Sequence, residues 1–164
     1  MRKLEVFFDY ECPFCKIGYE YLMELLPKHQ DIEVVWRPCE SHPRPENHPP
    51  HSDLALQALR FALDVGVNDE HEFHRRMFQA VASERRNVEV IDTVVDIVGG
   101  LVDAAALKTA LTDGTCAKQQ SELNEYAYSE NGVWFVPAFR MDGKKLDAAG
   151  GVGVTKKQLE EFLQ

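Results

Sequence analysis

Two cysteines separated by two residues, Cys12-Pro13-Phe14-Cys15, are the part of this sequence best suited to chemistry. A two-residue spacer across the first turn of a helix brings two sulfurs within bonding distance. The sulfur at the helix start also faces N–H groups that have no partner inside the helix. Their partial positive charge favours the thiolate, which is the reactive form of cysteine. The expected chemistry is thiol–disulfide exchange, with Cys12 as nucleophile and Cys15 as resolving thiol.

Zinc is the competing reading. Cys39-x2-His42 follows the first pair, and three thiolates with one imidazole can hold Zn2+. Ligand pairs of structural zinc sites, however, sit in tight turns, whereas Pro13 opens an amphipathic helix. His42, His48 and His51 stand among prolines and read as exposed loop residues. His71 and His74 share a helix with no identifiable third ligand, so no metal site is expected. Cys39 and Cys116 read as small buried hydrophobes. A bond between them would require the last helix to pass the second strand, and a reducing compartment argues against it.

The elements that must position Cys12 are legible on either side of it. Lys3 to Asp9 is a short apolar run that reads as a buried strand. Pro13 suits the first position of a helix. Phe14, Ile17, Tyr21, Leu22 and Leu25 then recur at helical spacing until Pro27 ends it. Asp31 to Arg37 alternates Ile32, Val34 and Trp36 inward as a second strand. Strand, helix and strand make a βαβ unit with parallel strands and a right-handed crossover. Arg37 to Ser52 carries five of the eight prolines and three of the six histidines, which predicts an extended connector.

From Asp53 to Asn131 the pattern is helical. Ser52 or Asp53 caps the first helix and Gly66 ends it, and Asn68 or Asp69 caps a second with Phe73, Met77, Phe78 and Val81 inward. Val88 to Val98 reads as helix with Val90, Ile91, Val94, Ile97 and Val98 inward, and Gly99-Gly100 breaks it. Asp103 to Leu111 and Thr115 to Glu130 follow. Phe135 to Met141 and Lys144 to Ala149 flank Asp142-Gly143 as a hairpin. Thr155-Lys156-Lys157-Gln158 is a capping box opening a last short helix.

Composition excludes several roles. A chain of 164 residues with 45% apolar and 27% charged residues is that of an ordinary globular domain. Its net charge of -9 argues against a nucleic-acid partner, and Arg75-Arg76 and Arg85-Arg86 read as solvated helix faces. No apolar run is long enough to cross a bilayer. The first residues run directly into a strand without a signal-peptide core, so a cytoplasmic location is expected.

A βαβ half with CxxC at its first strand–helix junction, closed by a ββα half, resembles the thioredoxin fold. The long helical stretch between the halves resembles the DsbA-like branch. Within it the chain is similar to FrnE-like and 2-hydroxychromene-2-carboxylate isomerase-like proteins, through FFDYECPFCKIG, VVWRP, GVWFVPAF and AAGG. The resemblance implies an α/β thioredoxin fold as one structural unit. Residues 1–52 are its N-terminal half with the connector, 53–131 the helical insertion, and 132–164 the C-terminal half. Pro137 matches the cis-proline that faces the CxxC helix start in this fold.

By the same resemblance Cys12 and Cys15 are catalytic, and Pro13, Phe14, Val136 and Pro137 form the substrate-binding surface. The implied function is a thiol–disulfide oxidoreductase without a cofactor. Its partners are a disulfide- or thiol-bearing protein or small molecule and a cellular thiol reductant or oxidant, with glutathione as a candidate co-substrate. Relatives of the isomerase and kappa-type glutathione transferase kind work on glutathione and small organic molecules, generally with serine in place of the first cysteine. They define the alternative. Pro-Phe replaces the Pro-His of strongly oxidising DsbA enzymes, and Asp9 and Glu11 oppose the helix N-terminus. A milder oxidant is therefore expected. Either acid taken alone reads as solvent-facing.

Overall fold

The computed structural model describes all 164 residues. Strand β1 (Arg2–Phe8) runs into helix α1 (Pro13–Leu25), and the chain returns as β2 (Ile32–Pro38). The helical stretch comprises α2 (Asp53–Val65), α3 (Glu70–Phe78), α4 (Ile91–Ile97), α5 (Ala104–Asp113) and α6 (Ala117–Glu125). Strands β3 (Ala138–Met141) and β4 (Lys144–Asp147) and helix α7 (Lys156–Leu163) complete the chain. This is a thioredoxin fold with a helical insertion.

The sheet order is β2-β1-β3-β4. β1 pairs parallel with β2, from Arg2 against Ile32 to Phe8 against Pro38, and antiparallel with β3, Phe7 facing Ala138. A strand with neighbours on both sides and layers on both faces must be apolar throughout its centre. Leu4, Val6 and Phe8 enter the main core with α1, α7 and the inserted helices. Phe7 points the other way, into a small core with Cys39, Ala127, Val133 and Ala138. The turn closing the β3–β4 hairpin has positive φ at both Asp142 (52°) and Gly143 (75°), the type I′ geometry that matches strand twist.

Helix α1 departs from the apolar stripe read in its sequence. It buries Cys15, Gly18, Tyr19, Leu22 and Leu25, while Ile17 is 40% exposed and Phe14 and Tyr21 are half-buried. The reason lies at Gly18. A Cβ there would stand 3.0 Å from Cγ of Pro137 and 3.9 Å from Phe139, so the glycine lets the helix roll against the start of β3. Leu22 and Leu25 keep the burial read from the sequence, while Cys15, Gly18 and Tyr19 take the inward places read for Phe14, Ile17 and Tyr21.

The insertion largely follows its pattern. Gly66 ends α2 in the left-handed region (φ 76°), and Asp69 caps α3 by accepting the N–H of Glu72 at 2.9 Å. Phe73, Met77, Phe78 and Val81 are buried. Arg75 and Arg76 pair with Glu72, and Arg86 with Asp96, as solvated faces should. Helix α4 is shorter than the sequence suggests. Val90 is its extended N-cap (φ −99°, ψ 120°) and is 47% exposed, while Val88 anchors the preceding turn in the core. β-Branched residues adopt extended backbone readily, so the helix starts only at Ile91. Ser52 precedes α2 without a side-chain cap, whereas Thr155 and Gln158 form the expected capping box of α7.

Two hydroxyl–imidazole pairs tie α3 to the βαβ unit. Tyr10 Oη lies 2.8 Å from Nδ1 of buried His74, and Tyr19 pairs with His71. The His74 ring also packs on Trp36 of β2, with centroids 4.3 Å apart. These two histidines are thus partners of tyrosines. Cys39 and Cys116 are both buried free thiols, although α6 does lie beside β2, with Gln120 donating to the Pro38 carbonyl at 3.2 Å.

Gly18→Val forces two methyl groups into the space against Pro137. We expect it to destabilise the protein by about 1–3 kcal/mol, as overpacked cores do. Urea unfolding followed by circular dichroism measures this, and a wild-type midpoint would contradict the packing argument.

Candidate active site

Cys12 occupies the N-cap of α1 with extended backbone (φ −83°, ψ 115°), and its carbonyl accepts the N–H of Cys15 at 3.1 Å. Pro13 follows at the first helical position, where its missing N–H leaves no gap in the ladder. Cys12 is half-buried and Cys15 buried one turn below it, both as thiols. One sulfur therefore meets solvent and the other supports it from inside.

Their proton affinities diverge. The Cys12 thiol is lowered from its ordinary value chiefly by a hydrogen bond from the Cys15 side chain, with lesser help from the N–H groups of Cys15 and Phe14. Cys15 is pushed well up, first by burial and then by donating that bond. The arrangement separates a nucleophile from a reserve thiol, as exchange through a mixed disulfide requires.

Val136 and Pro137 arrive from the C-terminal half. The Val136–Pro137 peptide is cis, and the Val136 carbonyl accepts a hydrogen bond from Sγ of Cys12 at 3.7 Å. Pro137 keeps its carbonyl in the sheet, accepting the N–H of Ala148 at 3.0 Å. The regular strand begins only at Ala138. Trp134 and Phe135, expected to lead into or belong to β3, turn outward and are 83% and 46% exposed.

Those rings wall a cavity of about 340 Å³ beside Cys12, together with Phe14, Val136, Ser41 and the Ala149-Gly150-Gly151 loop. Two glycines there lie close against the aromatic walls. A Cβ on Gly150 would stand 2.8 Å from the Phe135 ring, and one on Gly153 would stand 3.0 Å from Phe14. The structure thus brings together Cys12, Phe14, Val136 and the AAGG segment, with Cys15 and Pro137 directly behind them. Pro13 is exposed at the helix start and does not line the cavity.

Asp9 and Glu11 correct the sequence reading. Neither faces solvent: Asp9 is 0% and Glu11 9% exposed. The Asp9 carboxylate accepts the N–H of Ser41 at 2.8 Å and of Glu11 at 3.2 Å, fastening the connector to the active-site turn. Burial raises its pKa, and its charge opposes the Cys12 thiolate. Glu11 is pushed up to about 7 by burial and by Asp9. An aspartate directly after an apolar strand was the available signal for this role. Nothing in the pattern of Trp134 and Phe135 marked them as turning outward.

The Cys12, Cys15, Cys39 and His42 zinc set is not assembled. Cys39 is buried in the small core on the far face of β1, and the only metal-capable cluster contains none of the cysteines. No helix is long and apolar enough to cross a membrane.

Residues 3–163 match the sequence model of the DSBA-like thioredoxin domain. The chain is 28% identical to the uncharacterized protein YwbO of Bacillus subtilis (strain 168), an alignment covering 96% of each. Among solved structures it superposes on a probable DsbA oxidoreductase from Streptomyces coelicolor with a TM-score of 0.81 at 16% identity, covering 99% of this chain and 88% of that one. A putative protein disulfide isomerase from Nitrosomonas europaea gives 0.78 at 10% identity, covering 99% and 95%. Both structural likenesses are likenesses of fold; the family rests on the sequence match running almost from end to end. The chain belongs to the DSBA-like thioredoxin domain family and is a DsbA-like thiol–disulfide oxidoreductase, of a kind that uses no cofactor.

Proposed function

We propose that Cys12 and Cys15 form the redox couple and that its substrate is an extended peptide segment carrying a cysteine beside an apolar residue. The observation that carries this is the placement of a half-exposed Cys12, with lowered pKa, at the edge of an apolar cavity while Cys15 stays buried beneath it. In the reductive direction the Cys12 thiolate attacks one sulfur of a substrate disulfide, and the other sulfur leaves as a thiolate. Cys15 then gives up its proton and attacks the Cys12 sulfur, releasing the second substrate thiolate and leaving a Cys12–Cys15 disulfide. The same steps in reverse deliver a disulfide to a dithiol.

The Val136–Pro137 backbone beside Cys12 is placed to pair with the substrate main chain, and Trp134, Phe135 and Phe14 supply apolar contact. After the reductive direction a cellular thiol, of low molecular weight or in a protein, reduces the Cys12–Cys15 disulfide again; after the reverse direction a disulfide-bearing oxidant accepts the two electrons and restores it. FFDYECPFCKIG and the AAGG segment support a place in the FrnE-like branch. The charge of buried Asp9 partly offsets the lowering of the Cys12 pKa and supports a milder oxidant than DsbA itself.

Three measurements test this. In glutathione buffers the couple should titrate between about −270 and −120 mV, the values of thioredoxin and DsbA. Reduction of insulin disulfides should fall to the uncatalysed background in Cys12→Ser, while Cys15→Ser should trap a mixed disulfide with the substrate. Activity retained in Cys12→Ser, or glutathione-dependent conversion of an aromatic substrate that survives Cys15→Ser, would overturn the assignment.

Alkylation of Cys12 by iodoacetamide in chelator-treated buffer should show a midpoint below the 9.0 of an unperturbed thiol. Asp9→Asn keeps an acceptor for Ser41 but removes the charge that opposes the thiolate. Its midpoint should move further down, and an upward shift would contradict the electrostatic account. Trp134→Ala should raise KM for a peptide substrate several-fold with little change in kcat, since the ring offers binding surface and no chemistry.

A further inference from the structure

The connector between β2 and α2 was expected to hold exposed loop histidines, yet it folds into a specific arrangement. His51 is 7% exposed, with Nδ1 2.9 Å from Glu89 and Nε2 2.7 Å from the Glu46 carbonyl. The N–H of Glu46 donates to the Pro43 carbonyl at 3.0 Å and the N–H of His48 to the Glu46 carbonyl at 3.1 Å. This pinned loop lays the His48 ring on the His42 ring, with centroids 3.7 Å apart and planes 14° apart.

Both rings stand over Glu11, whose carboxylate accepts no hydrogen bond from the protein although the residue is 9% exposed. In the Nδ1–H tautomer His42 donates to Glu46 Oε1, 2.8 Å away. The lone pair of Nε2 then points towards Glu11 Oε1, 3.8 Å away. Two lone-pair groups facing one another at a poorly solvated position call for a cation between them. A carboxylate on the far nitrogen of a histidine is also the outer-shell arrangement that orients imidazoles on metals.

We propose that Glu11, His42 and His48 form a binding site for a divalent transition-metal ion of the Zn2+ type. Their ligand atoms lie within 4.8 Å of one another. Bonds of 2.0–2.1 Å at a tetrahedral centre separate ligand atoms by about 3.4 Å, so closure needs only a modest inward movement. The exposed His48 ring is free to turn out of the stack and provide it. Two imidazoles and one carboxylate suit zinc and its neighbours rather than Ca2+ or Mg2+, which take oxygen ligands. Three protein ligands leave a fourth position for water.

The site contains neither cysteine of the redox pair, so it stands or falls independently of the proposed exchange chemistry. It is tested with the full chain oxidised at Cys12–Cys15, which removes these thiols as competing ligands. Titration with ZnCl2 by calorimetry in a non-coordinating buffer at neutral pH should show one ion per chain. His48→Ala and His42→Ala should each weaken binding by at least about 10-fold, and Glu46→Gln should weaken it about 10-fold while leaving the stoichiometry at one. His48 is exposed, so its variant keeps the fold, as circular dichroism would verify. Absence of Zn2+ uptake, or uptake unchanged in His48→Ala, would overturn the proposal.

Discussion

The buried carboxylate of Asp9 is the point on which the active site is assembled. It stands one residue beyond β1, accepts backbone N–H groups from Glu11 and from Ser41, and offers its own carbonyl to the N–H of Cys12. Three separate pieces of chain therefore converge on one residue: the end of the central strand, the turn carrying the nucleophile, and the connector after β2. A carboxylate without water is unfavourable unless its lone pairs are filled, so its partners hold their positions as a condition of burying it.

That arrangement also sets the reactivity. Cys12 receives stabilisation from the Cys15 side chain and from the first turn of α1, and it meets opposition from burial and from Asp9. The same carboxylate that fixes the geometry thus works against the thiolate it helps to place. In the proposed exchange chemistry the reactivity of Cys12 is a difference between these effects. Glu11, directly before Cys12, is a second poorly solvated acid, and burial and the Asp9 charge raise its own pKa.

How far the sequence disclosed this depended on the kind of constraint. Local rules were enough for elements whose ends are chemically marked. Gly66, Asp69, Asp142-Gly143 and the Thr155–Gln158 box each stand where the chain turns or caps. The CxxC pair could be placed for the same reason, since Pro13 fixes the helix start. What escaped was decided by distant contacts. The face of α1 follows from Gly18 meeting Pro137, more than a hundred residues away, and periodicity within the helix cannot register that neighbour. Trp134 and Phe135 look like strand residues by propensity. They turn outward because the sheet begins at Ala138, and the ring of Phe135 instead lies against the Gly150 segment. Burial of Asp9 and Glu11 likewise depends on a connector whose course no local pattern specifies.

The inserted helices are more than a lid on one edge. α3 supplies His74 to the hydroxyl of Tyr10 and His71 to that of Tyr19, two residues that bracket the CxxC turn in sequence. Burial lowers the His74 pKa and so favours the uncharged ring, which suits a hydrogen bond with the Tyr10 hydroxyl away from solvent. Trp36 of β2 packs against the same imidazole. The helical insertion therefore clamps the strand before Cys12 and the helix after Cys15 through a single aromatic cluster. Positioning the two sulfurs to a fraction of an ångström takes support from both sides of the turn, and here one side is the sheet and the other is the insertion.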